Sequence, residues 1–489
     1  VSFKRFVLFF TFLAIFTMAF RVSIDSDTWW HLRAGAEILD RGAVITEDPF
    51  SLTRFQQPWR YPGWLSQVIL YGLYTLMGYA GLNLLTAFMV TLAFLWVWPH
   101  VEGSLLRRSA LILLAAAASG VYWSARPQII SFTLTGVFIH LLERERAAKS
   151  NPIWIYLLIM ALWANIHGGF AIGFLLIGAY LGGEVLVLIA NGVKAPARWQ
   201  ESFDHAKPIL LRFAWIIFFC LFGLCLNPHG PSMLLYPFKT VSIGALRAYI
   251  QEWQSPDFHA LEVQPFLWMF FLAFVGFSAA PKRQHPVDYF LVLGFAFMSF
   301  WAARNIALFA LTAVVPISRA FSSISIELSW LKSTKEFPQN VQKIVNTFLA
   351  VGFLMAAIVK ISVPWTRVSN QQSINKMFPT EAIDFLRTSV SPGPIFNSYN
   401  WGAYLIWELY PEYRSFVDGR TDLFNDEILE EYLSTWRGEP IWRDAFERWG
   451  IEVVLIEPFS PLAAELRLSG WDLVFEESDA LIFIEPGRN

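Results

Sequence analysis

Directly after an apolar run at residues 5–22, the chain reads Ile24-Asp25-Ser26-Asp27-Thr28-Trp29-Trp30-His31-Leu32-Arg33. Two carboxylates stand one residue apart beside an aromatic pair. A carboxylate fixed at a membrane surface can take the proton of an acceptor hydroxyl as that oxygen attacks an activated donor. Asp27 is the expected base. Asp25, and Asp48 in Glu47-Asp48-Pro49-Phe50 further along the same segment, are expected as supporting acids. The competing reading is structural: Asp27 precedes TWWHLRAGAEIL and is a plausible helix N-cap. The two readings are compatible, because a cap residue is held rigidly.

Cationic and imidazole groups complete the chemistry. Arg126 and Arg304 lie at the ends of apolar runs. A guanidinium there can grip a lipid phosphate through two hydrogen bonds and stabilise its charge as it leaves. The alternative is snorkelling of either arginine to headgroups. His167 sits in Asn165-Ile166-His167-Gly168-Gly169, where the glycines allow close backbone approach and an imidazole can contact a phosphate or sugar. His229, in Asn227-Pro228-His229-Gly230, belongs to a helix stop and is incidental. Asp418-Gly419-Arg420-Thr421-Asp422 contains a turn signal, Asp-Gly. Its functional reading is a polar rim, with Asp418 and Arg420 contacting an acceptor.

The elements that must position these groups are mostly membrane helices. Of the 489 residues, 55% are hydrophobic and 16% charged, and the mean hydropathy is +0.44. Soluble domains carry nearer a quarter charged residues. A net charge of -2 gives no sign of nucleic-acid binding. The 22 tryptophans suit headgroup-level surface. Cys220 and Cys225 share one apolar run and point to different helix faces, so no disulfide is expected. A membrane helix needs about 20 mostly apolar residues. About eleven runs qualify: 5–22, 80–99, 109–124, 127–143, 152–166, 169–190, 209–226, 264–280, 286–302, 304–320 and 342–364. The first, with Lys4 and Arg5 before it, is read as a retained span. Basic clusters at Lys4/Arg5, Arg107/Arg108, Arg144/Arg146/Lys149, Lys194/Arg198/Lys207 and Lys282/Arg283 fall on one side if residues 63–78 do not cross. That segment is therefore expected to be interfacial or re-entrant. Loop 23–79, the turns at 126–128 and 165–169, loop 227–263 and the C-terminal region then share the outer face.

From about residue 366 the composition changes. Strand-like runs at 394–398, 414–419, 452–457, 472–477 and 480–485 alternate with helical patterns near 379–388, 425–437, 440–449 and 460–468. Alternation of this kind predicts a small α/β domain at 366–489, following a membrane domain at 1–365.

A first span followed by an outer loop with D-x-D and D-x-W-x-x-R-like spacing resembles the GT-C superfamily of glycosyltransferases. These are polytopic enzymes that use polyprenyl-phosphate-linked sugars. Asp25 to Arg33 looks like the first-loop acidic motif of oligosaccharyltransferase catalytic subunits, a distant likeness. Those proteins carry an outer C-terminal domain with a W-W-D-Y-G motif. Here Asn400-Trp401-Gly402-Ala403-Tyr404 stands in a similar place without the adjacent Trp-Trp-Asp, and the resemblance makes Trp401 an acceptor contact. It also implies a second acid in a late outer loop, for which Glu252 is the candidate, and a divalent cation, Mg or Mn. The turn Trp123-Ser124-Ala125-Arg126-Pro127 lacks the acidic pair that those enzymes use for metal.

The leading expectation is a glycosyltransferase that moves a sugar from a polyprenyl-phosphate carrier to a glycan, lipid or protein acceptor on the outer face. The expected location is a prokaryotic plasma membrane. The alternative is a non-catalytic membrane subunit with a degenerate GT-C scaffold, binding lipids or partner subunits. A transporter is the weakest reading: mid-span charges are scarce, with Glu184 the clear candidate, and no repeats are evident.

Overall fold

The computed structural model describes residues 3–324 and 338–487. The apolar runs become helices, three of which accommodate an internal proline: Pro208, Pro316 and Pro364. In chain order these are α1 (Phe3–Ala19), α2 (Thr28–Arg41), α3 (Trp64–Met77), α4 (Tyr79–Val97), α5 (Leu105–Ser119), α6 (Gln128–Arg146), α7 (Trp154–Ile166), α8 (Ala171–Lys194) and α9 (Trp199–Leu224). A loop with two short helices, α10 (Tyr236–Ser242) and α11 (Gly244–Tyr249), precedes α12 (Gln264–Ala279). α13 (Pro286–Tyr289) runs through a π-turn at Phe290–Gly294 into α14 (Phe295–Trp301). α15 (Ile306–Ser323) and α16 (Gln339–Trp365) complete the apolar set.

Among the described residues, six helical segments are long and apolar enough to cross a membrane: Tyr79–His100, Leu105–Tyr122, Gly168–Lys194, Pro196–Leu224, Ala303–Ser323 and Lys343–Trp365. Four shorter apolar helices accompany them, α3 and α7 included. At 14 residues α3 is about 21 Å long, well short of a hydrocarbon core of roughly 30 Å. Gly78, at φ 60°, then turns the chain straight into α4. A left-handed residue at that point suits glycine alone.

The C-terminal part opens with α17 (Arg367–Met377) and α18 (Thr380–Ser389), followed by β1 (Ile395–Asn397) and α19 (Gly402–Leu409). Then come α20 (Thr421–Trp436), α21 (Trp442–Trp449), β2 (Val453–Ile456), α22 (Pro461–Leu468), β3 (Asp472–Glu476) and β4 (Leu481–Ile484). The sheet order is β1-β2-β4-β3. β1 and β2 are parallel, with Phe396 opposite Val454, while β4 lies antiparallel to both β2 and β3. Four of the five expected strands form.

The fifth, at 414–419, does not. That run has hydrophobic alternation, but its backbone bonds go elsewhere. Leu52 N–H donates to the Ser415 carbonyl (2.8 Å), Ser415 N–H to the Phe50 carbonyl (3.2 Å) and Thr53 Oγ1 to the Phe416 carbonyl (2.7 Å). The segment is a seam between the first loop and the C-terminal part.

That seam explains how apolar surface is shared. One core lies among the membrane helices and includes Phe94, Phe132, Trp163 and Phe309. The second joins first-loop residues Trp29, Phe50 and Trp59 with Phe396, Val417 and Leu455 from the C-terminal part. Burial of a common apolar surface therefore holds the C-terminal part against α2 and its loop.

Candidate active site

Asp27 occupies the N-cap position of α2, but its side chain makes no capping bond. The cap reading fails because the carboxylate is turned toward Arg126. Asp27 Oδ2 lies 3.1 Å from Arg126 Nη1, and Asp25 Oδ2 lies 3.6 Å from Arg126 Nε. The local fold fixes this orientation. Asp27 N–H donates to Asp25 Oδ1 (2.9 Å), and Asp25 N–H to Thr28 Oγ1 (3.1 Å).

The turn carrying Arg126 is strapped to the same loop. Ala125 N–H donates to the Ser23 carbonyl (2.7 Å), and Arg21 Nη2 donates to the Gly120 (2.7 Å) and Trp123 (3.0 Å) carbonyls. Ser23 in turn bonds to Asn83 Oδ1 on α4 through both N–H and hydroxyl. Arg126 thus meets the two aspartates because three chain segments are hydrogen-bonded together.

A third acid arrives from the late loop. Arg126 Nη2 lies 3.3 Å from Glu252 Oε2 and donates to Gln128 Oε1 at 2.7 Å. Arg304 Nη1 donates to Glu252 Oε1 at 3.1 Å, and its guanidinium lies 4.4 Å from the centre of the Trp253 ring. The backbone supports this pair, since Ala303 N–H donates to the Gln254 carbonyl (2.9 Å).

His167 closes the group from the α7–α8 turn. Its Nδ1 accepts from Gly169 N–H (3.0 Å) and lies 3.0 Å from Ser131 Oγ. A neutral ring so bonded carries its proton on Nε2, leaving a donor for a ligand.

These groups line a cavity of about 680 Å³ between the membrane helices and the C-terminal part. Asp27, Arg126, His167, Glu252 and Arg304 all reach it, as do His31, Tyr61, Tyr236 and Asp422. The far wall is aromatic and comes from the C-terminal part: Tyr399, Tyr432, Trp436 and Phe459, with Glu457 and Asn400. Trp436 Nε1 donates to Glu457 Oε2 (3.1 Å), and Tyr399 N–H donates to Tyr432 Oη (2.8 Å), so this wall is pre-formed.

The electrostatics separate the acids. Burial pushes Asp27 up to about 7; Arg126 opposes the shift, while Asp25 and Glu252 add to it. Burial also works against ionised Glu252, but Arg126 and Arg304 overcome it and hold the carboxyl at about 2. His167 is brought down to about 3 by burial, with Arg304 and Arg126 adding to the effect, and His31 is lowered well below its ordinary value by burial first and Arg126 second. Both imidazoles are therefore neutral at physiological pH. Arg126 itself is held above its ordinary value: burial opposes this, and Asp25, Glu252 and Asp27 outweigh it. Asp422, also on the cavity, is pushed up to about 6 by burial, against the hydrogen bond from Tyr236. Of these two carboxyls able to gain or lose a proton near neutrality, Asp27 is the one in contact with Arg126, an arrangement suited to general base work.

Five expected site residues do not line the cavity. Asp25 meets Arg126 at 3.6 Å without lining it. Asp48, Asp418 and Arg420 are fully buried against one another: Arg420 Nε and Nη2 donate to Asp418 at 2.8 and 2.7 Å, and Nη1 pairs with Asp48. The guanidinium lies 4.9 Å from the Trp59 ring centre. Its role is to lock the first loop to the C-terminal part. Trp401 is buried in the second core; its neighbours Ser398, Tyr399 and Asn400 reach the cavity instead. The locked turn still serves the site. A Cβ on Gly419 would lie 1.7 Å from Asp27 Oδ1, so only glycine lets this turn lie against the carboxylate.

Sequence reading missed His31, Tyr61, Tyr236, Asp422 and the aromatic wall. His31 had a usable signal, one helical turn after Asp27 on the same face. Its Nδ1 has no hydrogen-bond partner among the described residues. The wall residues had none, since they belong to a distant part of the chain.

Among solved structures, the chain is similar to the archaeal oligosaccharyltransferase AglB from Archaeoglobus fulgidus in complex with an inhibitory peptide and a dolichol-phosphate. The TM-score is 0.58 with 13% identity, covering 93% of this chain and 70% of that one. The apo form of the Archaeoglobus fulgidus oligosaccharyltransferase gives 0.56 and 12%, over 91% and 69%. ArnT from Cupriavidus metallidurans bound to undecaprenyl phosphate gives 0.49 and 12%, over 99% and 98%, too weak a superposition to carry an argument. No protein-family model and no curated protein sequence matches the chain. The likeness is one of fold: this chain has the fold of these oligosaccharyltransferase structures.

Proposed function

We propose that this protein is a membrane glycosyltransferase that moves a sugar from a polyprenyl-phosphate-linked donor to an acceptor at the extracytoplasmic face. One observation carries the proposal. Asp27, Arg126, His167, Glu252 and Arg304, from five separate chain segments, line one cavity that also has a pre-formed aromatic wall. The shared fold and the dolichol-phosphate in the AglB complex support the donor class.

In this reading Asp27 takes the acceptor hydroxyl proton. The acceptor oxygen bonds to the anomeric carbon while the bond from that carbon to the phosphate oxygen breaks. The phosphate leaves with its charge met by Arg304 and by the Nε2–H of His167. A single displacement of this kind inverts the anomeric configuration. The aromatic wall is the acceptor side, where flat rings offer contact area at little entropic cost. The eleven-span path, with α3 lying on the outer surface and residues 366–489 outside, belongs to the same proposal. So does the prokaryotic plasma membrane as its location.

That Asp27 lines a cavity supports catalysis over a non-catalytic scaffold. Asp27→Asn, purified in lipid discs, is expected to lose transfer from the lipid-linked sugar pool by on the order of 10²–10⁴-fold while the unfolding temperature stays within a few degrees of wild type. Transfer at the wild-type rate would remove Asp27 from the mechanism.

A further inference from the structure

The resemblance that implies a divalent cation also implies acids to hold it, and the chain does supply three carboxylates at one point: Asp25, Asp27 and Glu252. Their surroundings do not fit a metal ion. Each already faces a different nitrogen of Arg126, at 3.6, 3.1 and 3.3 Å, so one guanidinium stands where their oxygens converge. Glu252 has a second cationic partner in Arg304 at 3.1 Å. A magnesium or manganese ion requires oxygens at about 2.0–2.1 Å in near-octahedral array. Meeting that demand here would strip all three acids from Arg126 and leave a double positive charge against an arginine with nowhere to go. The guanidinium cannot lose its proton to relieve the conflict. Nor can it swing away easily: its turn is bonded to Ser23 through Ala125, and its Nη2 to Gln128.

We infer that Arg126 is a built-in counter-cation, occupying by covalent attachment the position that a divalent ion would otherwise fill, so that the site works without metal. The planar fork satisfies three carboxylates at once, which a lysine's point charge cannot do with the same geometry. A resident arginine also cannot be removed by chelation. The turn in which it stands, Trp123-Ser124-Ala125-Arg126-Pro127, is where the resemblance leads one to look for an acidic pair. An acid-to-arginine exchange there changes a metal ligand into a metal substitute. This inference rests on the transferase reading only for its activity arm.

The binding arm stands alone. Full-length protein in lipid discs would be titrated with Mn²⁺ and followed by electron paramagnetic resonance. Wild type is expected to show no stoichiometric site. Arg126→Ala and the bulkier Arg126→Gln, which keeps shape and polarity, free the same three carboxylates. Each is expected to gain one Mn²⁺ site, with a rise in unfolding temperature on adding Mn²⁺ that wild type lacks. Adding Glu252→Gln to either variant is expected to weaken that site at least tenfold. A stoichiometric Mn²⁺ site in the wild type that Glu252→Gln abolishes would overturn the inference, as would two folded Arg126 variants that bind none. In the activity arm, wild-type transfer is expected to survive EDTA unchanged. Loss on chelation with recovery on Mn²⁺ would also overturn the inference, while absence of transfer under every condition would count against the proposed reaction and leave the binding result to decide the arginine's role.

Discussion

At the C-terminal end of α6, Arg146 and, from α15, Arg319 close on Glu143 and Asp288. Just before its N-terminal end, Arg126 and, across the cavity, Arg304 face Asp25, Asp27 and Glu252. The residue types are the same, and the difference lies in fit and burial. At the first cluster two guanidiniums meet two buried carboxylates, with the exposed Glu102 lying 3.6 Å from Arg319 Nε at the rim. Arg146 makes a forked pair with Asp288 at 2.8 and 2.9 Å, Arg319 reaches Asp288 at 2.7 Å and pairs with Glu143, and Tyr180 Oη donates to Glu143 at 2.7 Å. Asp288 and Glu143 are 1% and 3% exposed. At the second, two guanidiniums meet three carboxylates, the contacts lengthen to 3.1–3.6 Å, and Asp27 and Glu252 keep 19% and 34% exposure beside a cavity. Forked and dry pairing makes a strut. A loosely held carboxylate beside an opening makes a group that can exchange a proton.

The widest separation between the clusters should come from breaking the strut. Asp288→Ala leaves two guanidiniums short of their shared partner in a buried site and is expected to cost about 3–5 kcal/mol. The unfolding temperature should fall steeply while transfer per folded molecule stays at the wild-type level. If activity per folded molecule collapsed instead, the two ends of α6 would not be separable.

Next in size is Gly419→Ala. Its Cβ would meet Asp27 Oδ1 at 1.7 Å, so the carboxylate must move by about an ångström, and transfer should fall on the order of 10²-fold. Stability should change little by comparison. An unaffected rate would mean that Asp27 needs no fixed position.

A smaller effect is expected at His167. Removing a neutral donor by His167→Ala should cost about tenfold in rate, near 1.4 kcal/mol, with the loss in kcat rather than KM if the contact forms only as the phosphate leaves. A change confined to KM would make His167 a binding group.

Sequence reading found the second cluster for a physical reason. Asp27, Arg126, His167 and Arg304 each stand at the end of an apolar run, and one assignment of sides puts all those ends on one face. Convergence was then a consequence of topology. The Asp48–Arg420–Asp418 lock was invisible because Asp48 and Arg420 lie 372 positions apart and nothing local pairs them. The run at 414–419 reads as a strand because its hydrophobic alternation is real. Only the first loop, at Phe50–Thr53, reveals that its backbone bonds are spent outside the sheet. Trp401 drew attention by resemblance, yet the residues beside it reach the cavity, since a large apolar ring is more easily buried in a core.

The central claim is that burial, with Asp25 and Glu252 adding to it against Arg126, keeps Asp27 poised near neutrality, and a pair of pH–rate profiles tests it most directly. Below about pH 7 Asp27 carries its proton and cannot accept another, so wild-type kcat/KM should rise with pH through a midpoint near 7. Glu252 raises that midpoint, and its loss also frees Arg126 for Asp27, so Glu252→Gln should move the midpoint to lower pH. A wild-type profile flat across neutrality, or a midpoint that climbs in Glu252→Gln, would contradict the account.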